Sequence, residues 1–148
     1  MYNNGMNLAD PRPGNLNSIA PGKARGSNMV PTVVLKNTKP VIICGAPGGA
    51  VIVSAVFQSI LNSINYNMTP TEAVSAPRIH TESGKVFLEA RIRSDYKEKL
   101  EELGFDVVQE QFPYNPMMAR AQLIAIDEKS GELSGGSDPR GGGVVYKV

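Results

Sequence analysis

The chain has no tryptophan, one histidine and one cysteine in 148 residues, and each scarcity removes a class of chemistry. Cys44 stands alone, so there is no internal disulfide and no cysteine-based metal site. His80 has no second imidazole or thiol near it in sequence, which argues against a metal centre and for a hydrogen-bonded structural ring. Charge of either sign is also lacking in excess: 15 Lys and Arg stand against 14 Asp and Glu. No basic face is available to attract nucleic acid or an anionic membrane surface. Long apolar runs are absent too. The richest stretch, Ala50 to Ile64, is broken by Ser54, Gln58, Ser59, Asn62 and Ser63 and does not read as a membrane span. The opening residues, MYNNGMNLADPRPG, have neither the basic start nor the apolar stretch of a signal peptide. The compartment stays open, with the cytoplasm the nearer expectation.

What is present is globular in balance, with 41% apolar and 20% charged residues, and the length suits one domain rather than two. Residues 1–31 hold Pro11, Pro13, Pro21 and Pro31 with no surviving periodicity, so they read as an extended loop region that needs a neighbour to lie on. An α/β core is expected over residues 32–148. TVVLK and VIICG are strand-like runs joined at Asn37-Thr38-Lys39-Pro40, a hairpin signal. A helix follows over 50–66. Its polar residues Ser54, Gln58, Asn62 and Asn65 form one narrow stripe, which predicts burial on most other sides. Thr69, Pro70 and Glu72 spell the start of a second helix with a capping box, and Pro77 ends it. VFLEA (86–90) reads as a strand. A third helix runs over 94–103, with Tyr96, Leu100 and Leu103 on one face and Gly104 as carboxyl cap. FDVVQ, QLIAID and VVYKV supply further strands, with a turn at Glu128 to Gly131. The class is mixed α/β of the α+β type.

GAPGGA (45–50) joins a strand to a helix, where unpaired amides point outward and favour negative charge. Gly48 and Gly49 allow close approach, and two such N–H groups can hold an oxyanion. A plain tight turn is the commoner use of such a segment. No Gly-Lys-Ser/Thr follows, so it is not a nucleotide-binding P-loop, and no cofactor is implied. In SDPRGGG (137–143), Asp138 and Arg140 either hold a substrate carboxylate or brace the turn, bracing being the simpler reading. Ser27 and Asn28 have no base beside them in sequence, so a serine triad is unsupported.

Taken in order, these segments resemble the small subunit of the gamma-glutamyltranspeptidases. The matching pieces are Asn3-Asn4-x-Met6, the PG-x-x-N-x-I-x-PGK run from Pro13 to Lys23, S-x-M-x-PT from Ser27 to Thr32, G-x-PGG from Gly45 to Gly49, APR from Ala76 to Arg78 and GxSDPR from Gly135 to Arg140. The resemblance implies part of an N-terminal-nucleophile hydrolase: an αββα sandwich of mostly antiparallel sheets flanked by helices. In that family a precursor cleaves itself to expose a threonine, whose hydroxyl attacks a gamma-glutamyl amide. By the same resemblance Gly48 and Gly49 form the oxyanion hole, while Ser27, Asn28, Asn3 and Asn4 bind substrate.

Departures accompany the match. The family's small subunit opens on Thr-Thr-His well before the Asn-Asn pair, whereas Thr32, Thr38, Thr69, Thr71 and Thr81 are all interior. The expectation is therefore a single partial domain over residues 1–148 that lacks the nucleophile and is inactive alone. Its partners would be the large subunit and the nucleophile-bearing segment, or a second copy of itself. The family's carboxylate for the substrate's α-amino group follows Asn-Asn closely, but here those places hold Gly5, Met6, Asn7 and Leu8, with Asp10 out of register. Asn28 replaces the second serine of the usual pair. A different acyl amide, as in the cephalosporin acylases, is then the alternative substrate. A non-catalytic remnant or binding protein that keeps the scaffold is the alternative function.

Overall fold

The structure is a computed structural model that describes residues 5–146. Its main sheet has four strands in the order β1-β2-β6-β7, all antiparallel: β1 (Thr32–Lys36), β2 (Lys39–Gly45), β6 (Gln122–Ile126) and β7 (Leu133–Ser137). The β1–β2 hairpin turns on Asn37 and Thr38, both at positive φ (49° and 65°), the geometry that matches the twist of paired strands. Pro40, expected in the turn, belongs instead to β2. It pairs only with Leu35 of β1, before the β6 pairing begins at Ile42, so its missing N–H costs no ladder bond there.

One face of this sheet is covered by α1 (Ile52–Asn65) and α2 (Pro70–Ser75). Strand alternation aims Ile42, Cys44 and Leu123 at that face, where they pack with Ile52, Val56, Ala73, Val74 and Ala121. Burying each large side chain stabilises by about 1.5–3 kcal/mol. The capping box is formed as the sequence predicts: Thr69 accepts from the Glu72 amide and Glu72 accepts from the Thr69 amide. The start of α2 approaches β7 so closely that a Cβ on Gly136 would lie 2.3 Å from the Pro70 carbonyl. That contact requires the Gly-rich strand LSGGS, which carries no β-forming signal and escapes sequence reading.

The smaller sheet, β3-β4-β5, joins β3 (Ile79–Glu82) to β4 (Lys85–Leu88) antiparallel and β4 to β5 (Asp106–Gln109) in parallel. The crossover is α3 (Ser94–Glu102), ended at Gly104 with φ 88°. Val86, Leu88 and Val107 make its core, with Ile92 and Leu100 packed against them.

Three expectations are corrected. Helix α1 is not buried on most sides: Val53, Phe57 and Ile64 are exposed. The stripe Ser54, Gln58 and Asn62 instead faces inward, where Gln58 brackets the backbone of Ile79 with bonds of 2.8 and 3.0 Å and Asn62 reaches the Ala73 carbonyl. Tyr96 and Leu103 of α3 are likewise exposed. No strand forms over 144–146, and the last two residues of the VVYKV run lie outside the described residues.

The second face of the main sheet is apolar and open. Val33, Leu35, Ile43, Ile124 and Leu133 are each 41% exposed or more, and the register lines up Val33, Ile43 and Ile124 across adjacent strands. The face of Val33 and Leu35 is open, whereas Ile42 and Cys44 on the opposite face are covered. A contiguous apolar face of this kind drives association. The chain in isolation is expected to self-associate or to pair with a complementary polypeptide, and a monodisperse monomer in light scattering would contradict this.

Candidate functional site

Four ionisable side chains sit together in the interior where the two sheets meet. Arg78, at the entry to β3, places Nη2 2.6 Å from Oδ2 of Asp138, and both are essentially inaccessible. Arg140 Nη1 meets the other oxygen of Asp138 at 2.9 Å, and its Nε donates to Oε1 of Glu89 at 2.6 Å. Arg140 also pairs through Nη2 with Glu89 Oε2. Two cations and two carboxylates cancel, the condition for burying charge. Burial, followed by the charge of Arg140, pulls Arg78 below the ordinary guanidinium range. Burial opposes the charge on Arg140 as well, but the bonds from Glu89 and the charge of Asp138 outweigh it and push Arg140 up.

The cluster also fastens backbone. Arg140 donates to the carbonyls of Val74 and Ala76, and Arg78 to those of Val74, Met118 and Ala119. Glu89 accepts from the amides of Arg78 and Asn115, and Asp138 from that of Ala121. Asp138 and Arg140 therefore brace their turn, as the simpler sequence reading has it. The sequence shows no sign of Glu89 or Asn115 as members, since a single Glu within the strand-like run VFLEA carries no local signal.

The braced loop over 115–121 supports the glycine turn. Ala119 is fully buried at φ 62°, ψ 175°, a region that costs a non-glycine residue about 1–3 kcal/mol. Its carbonyl bond to Arg78 helps hold it there. Its methyl group packs onto Gly48, where an added Cβ would lie 2.7 Å away, and the next amide, Arg120, donates to the Pro47 carbonyl at 3.2 Å. Gly48 takes φ 148°, ψ 7° and Gly49 φ 74°, so both positions demand glycine on conformation, and Gly48 on space as well. Among the described residues neither N–H makes a hydrogen bond. They follow β2, which ends at Gly45, and lead through a 3-10 turn, Gly49–Val51, into α1.

On the Gly49 side lies Asn28, half-buried, its amide nitrogen 4.0 Å from where a Gly49 side chain would start. Ser27 is exposed and its hydroxyl accepts from the Met29 amide at 3.3 Å. Asn28 thus lies near the turn. Asn3 and Asn4 lie outside the described residues. Asp10 is not free: Arg12 holds it by two side-chain bonds and one backbone bond, and Asn15 by another, which depresses its pKa strongly. His80 is a structural ring, its Nδ1 2.8 Å from Ser54 Oγ and its face stacked on Phe87. Among the described residues no group of His, Cys, Asp or Glu converges on a possible metal position.

Solved structures place this fold. A gamma-glutamyltranspeptidase of Helicobacter pylori superposes with TM-score 0.82 at 34% identity, covering 94% of this chain and 80% of that one. A cephalosporin acylase from Bacillus halodurans superposes with TM-score 0.83 at 26% identity, covering 92% of this chain and 25% of that one. The architecture is that of an N-terminal-nucleophile hydrolase, built from helices and mostly antiparallel sheet. The gamma-glutamyltranspeptidase family model matches residues 1–148. The glutathione hydrolase proenzyme of Bacillus subtilis (strain 168) is 36% identical over 150 residues, covering 100% of this chain and 25% of that protein. The acylase ACY 1 proenzyme of Pseudomonas sp. (strain SE83) is 35% identical over 146 residues, covering 99% of this chain and 25% of that protein. This chain belongs to the gamma-glutamyltranspeptidase family, and it spans about a quarter of the length of these curated relatives.

The cluster yields a direct expectation. Glu89→Ala strips Arg140 of a partner and leaves the amides of Arg78 and Asn115 without an acceptor. Unpairing a buried charge in this way costs about 3–5 kcal/mol. Urea unfolding of the complete protein should show that loss, and a change below about 1 kcal/mol would mean the cluster is not structural.

Proposed function

We propose that this chain forms part of an enzyme that hydrolyses or transfers a gamma-glutamyl or related acyl group from an amide. Residues 1–148 act in this reading as one partial domain, and the large subunit and a nucleophile-bearing segment complete the site. The observation that carries the reading is the Gly48–Gly49 turn, with two uncommitted amides at a strand-to-helix junction and Asn28 against its flank. The nucleophile's oxygen adds to the acyl carbon, and the carbonyl oxygen takes negative charge facing the amides of Gly48 and Gly49. The carbon–nitrogen bond then breaks, and the amine leaves with the proton taken from the nucleophile. Water or an acceptor amine next attacks the acyl-enzyme and regenerates the nucleophile. Ser27 and Asn28 offer neutral donors to a carboxylate at the far end of the acyl chain.

One feature favours a second acyl class. Among residues 5–31 the sole carboxylate, Asp10, is saturated by Arg12 and Asn15, so this segment offers no acid to a substrate ammonium. An acyl group with a terminal carboxylate and no α-amine, such as glutaryl, fits that segment at least as well as gamma-glutamyl does.

In the complete enzyme, Gly49→Val forces a branched side chain onto φ 74° beside Asn28 and turns the amides from the oxyanion. Loss of one donor from such a hole lowers turnover about a hundred- to a thousand-fold, so kcat should fall by that order while the folded fraction stays near normal. A folded Gly49→Val enzyme with unchanged kcat removes the turn from the mechanism.

A further inference from the structure

The turn has two flanks, and the second is lined by Ala119 and the backbone of Arg120. The Arg120 amide bonds to the Pro47 carbonyl, which sets the residue opposite the Pro47–Gly48 peptide. Its aliphatic stem lies over Gly141, where an added Cβ would meet Arg120 Cδ at 2.8 Å, and the residue is exposed. Among the described residues it is the one arginine whose guanidinium has no hydrogen bond or ion pair. Arg12 and Arg93 hold Asp10 and Asp95, Arg25 bonds a carbonyl, and Arg78, Arg91 and Arg140 are tied into the Glu89–Asp138 cluster and the backbone around it. The acids of that cluster are inaccessible and already bound, so they do not quench Arg120.

We propose that Arg120 binds a carboxylate on the amine half of the substrate, the half that departs on acylation or enters as acceptor. This rests on the reading of the Gly48–Gly49 turn given above. A tetrahedral centre with its oxygen on those amides sends its acyl chain and its amine in divergent directions. Asn28 stands beside Gly49, Ala119 packs on Gly48, and the backbone of Arg120 is tied to the Pro47 carbonyl next to it. With the acyl chain on the Asn28 side, the amine lies on the Arg120 side. A guanidinium presents paired donors that match a carboxylate, so the preferred amines are amino acids, peptide termini and other carboxylated amines.

The test uses the complete enzyme and two anilides of one acyl group, the 4-nitroanilide and the 3-carboxy-4-nitroanilide, made with gamma-glutamyl and with glutaryl. The readout is the ratio of kcat/KM for the carboxylated over the plain anilide. Arg120→Gln should lower this ratio about fivefold, the upper reach of an exposed ion pair. Arg120→Lys should lower it less, and about 1 M salt should move the wild-type ratio toward the Arg120→Gln value. A ratio within twofold of wild type in Arg120→Gln overturns the proposal, as does an equal loss on both anilides. Unchanged kcat on the plain anilide in folded Gly49→Val enzyme defeats the reading of the turn itself, and the proposal with it.

Discussion

Everything positioned near the glycine turn depends on one buried, neutral quartet: Arg78, Glu89, Asp138 and Arg140. Its members come from the entry to β3, the end of β4 and the segment after β7. Their bonds reach the carbonyls of α2 and the loop over 115–121. Each guanidinium satisfies both carboxylate and carbonyl acceptors, so the quartet fixes where the two sheets meet while leaving few donors idle. A cluster of this kind does not by itself raise stability over an apolar core. What it supplies is geometry, because a planar fork bonded at several points tolerates little displacement.

From there the chain of positioning is short. Arg78 holds the carbonyls of Met118 and Ala119, Ala119 keeps a strained backbone with its methyl group on Gly48, and Arg120 ties that loop to Pro47. The turn is thus backed on one side by packed protein, and its two glycines are exposed, with amides that make no hydrogen bond among the described residues. A donor pair held in advance needs no reorganisation when charge develops, which is what oxyanion stabilisation requires.

Local signals in the sequence translated into structure. The capping box at Thr69 and Glu72, the Gly104 cap and the strand-turn-helix step at GAPGGA depend on neighbours within a few residues. Features set by distant partners did not translate. The polar stripe of α1 points inward because Ile79 and Ala73 present backbone groups there, and Val53, Phe57 and Ile64 are left exposed. Strand β7 is written in glycine because Pro70 crowds it. Glu89 looks like any acid in a strand-like run until the fold brings Arg140 to it. Gly48 and Gly49 stand out locally as a strand-to-helix turn, Ser27 and Asn28 only through the order of six short motifs, and the structure adds that Asn28 lies near Gly49.

The open apolar face of the main sheet and the coverage of about a quarter of the longer relatives fit the proposed role, in which Gly48 and Gly49 contribute donors to a site that other residues complete. The most direct measurement is a crystal structure of the complete enzyme bound to a boronic acid that mimics the tetrahedral intermediate. The account predicts one boronate oxygen within about 2.7–3.1 Å of the amide nitrogens of Gly48 and Gly49. A boronate whose oxygens bond elsewhere, with both amides left facing solvent, would contradict it.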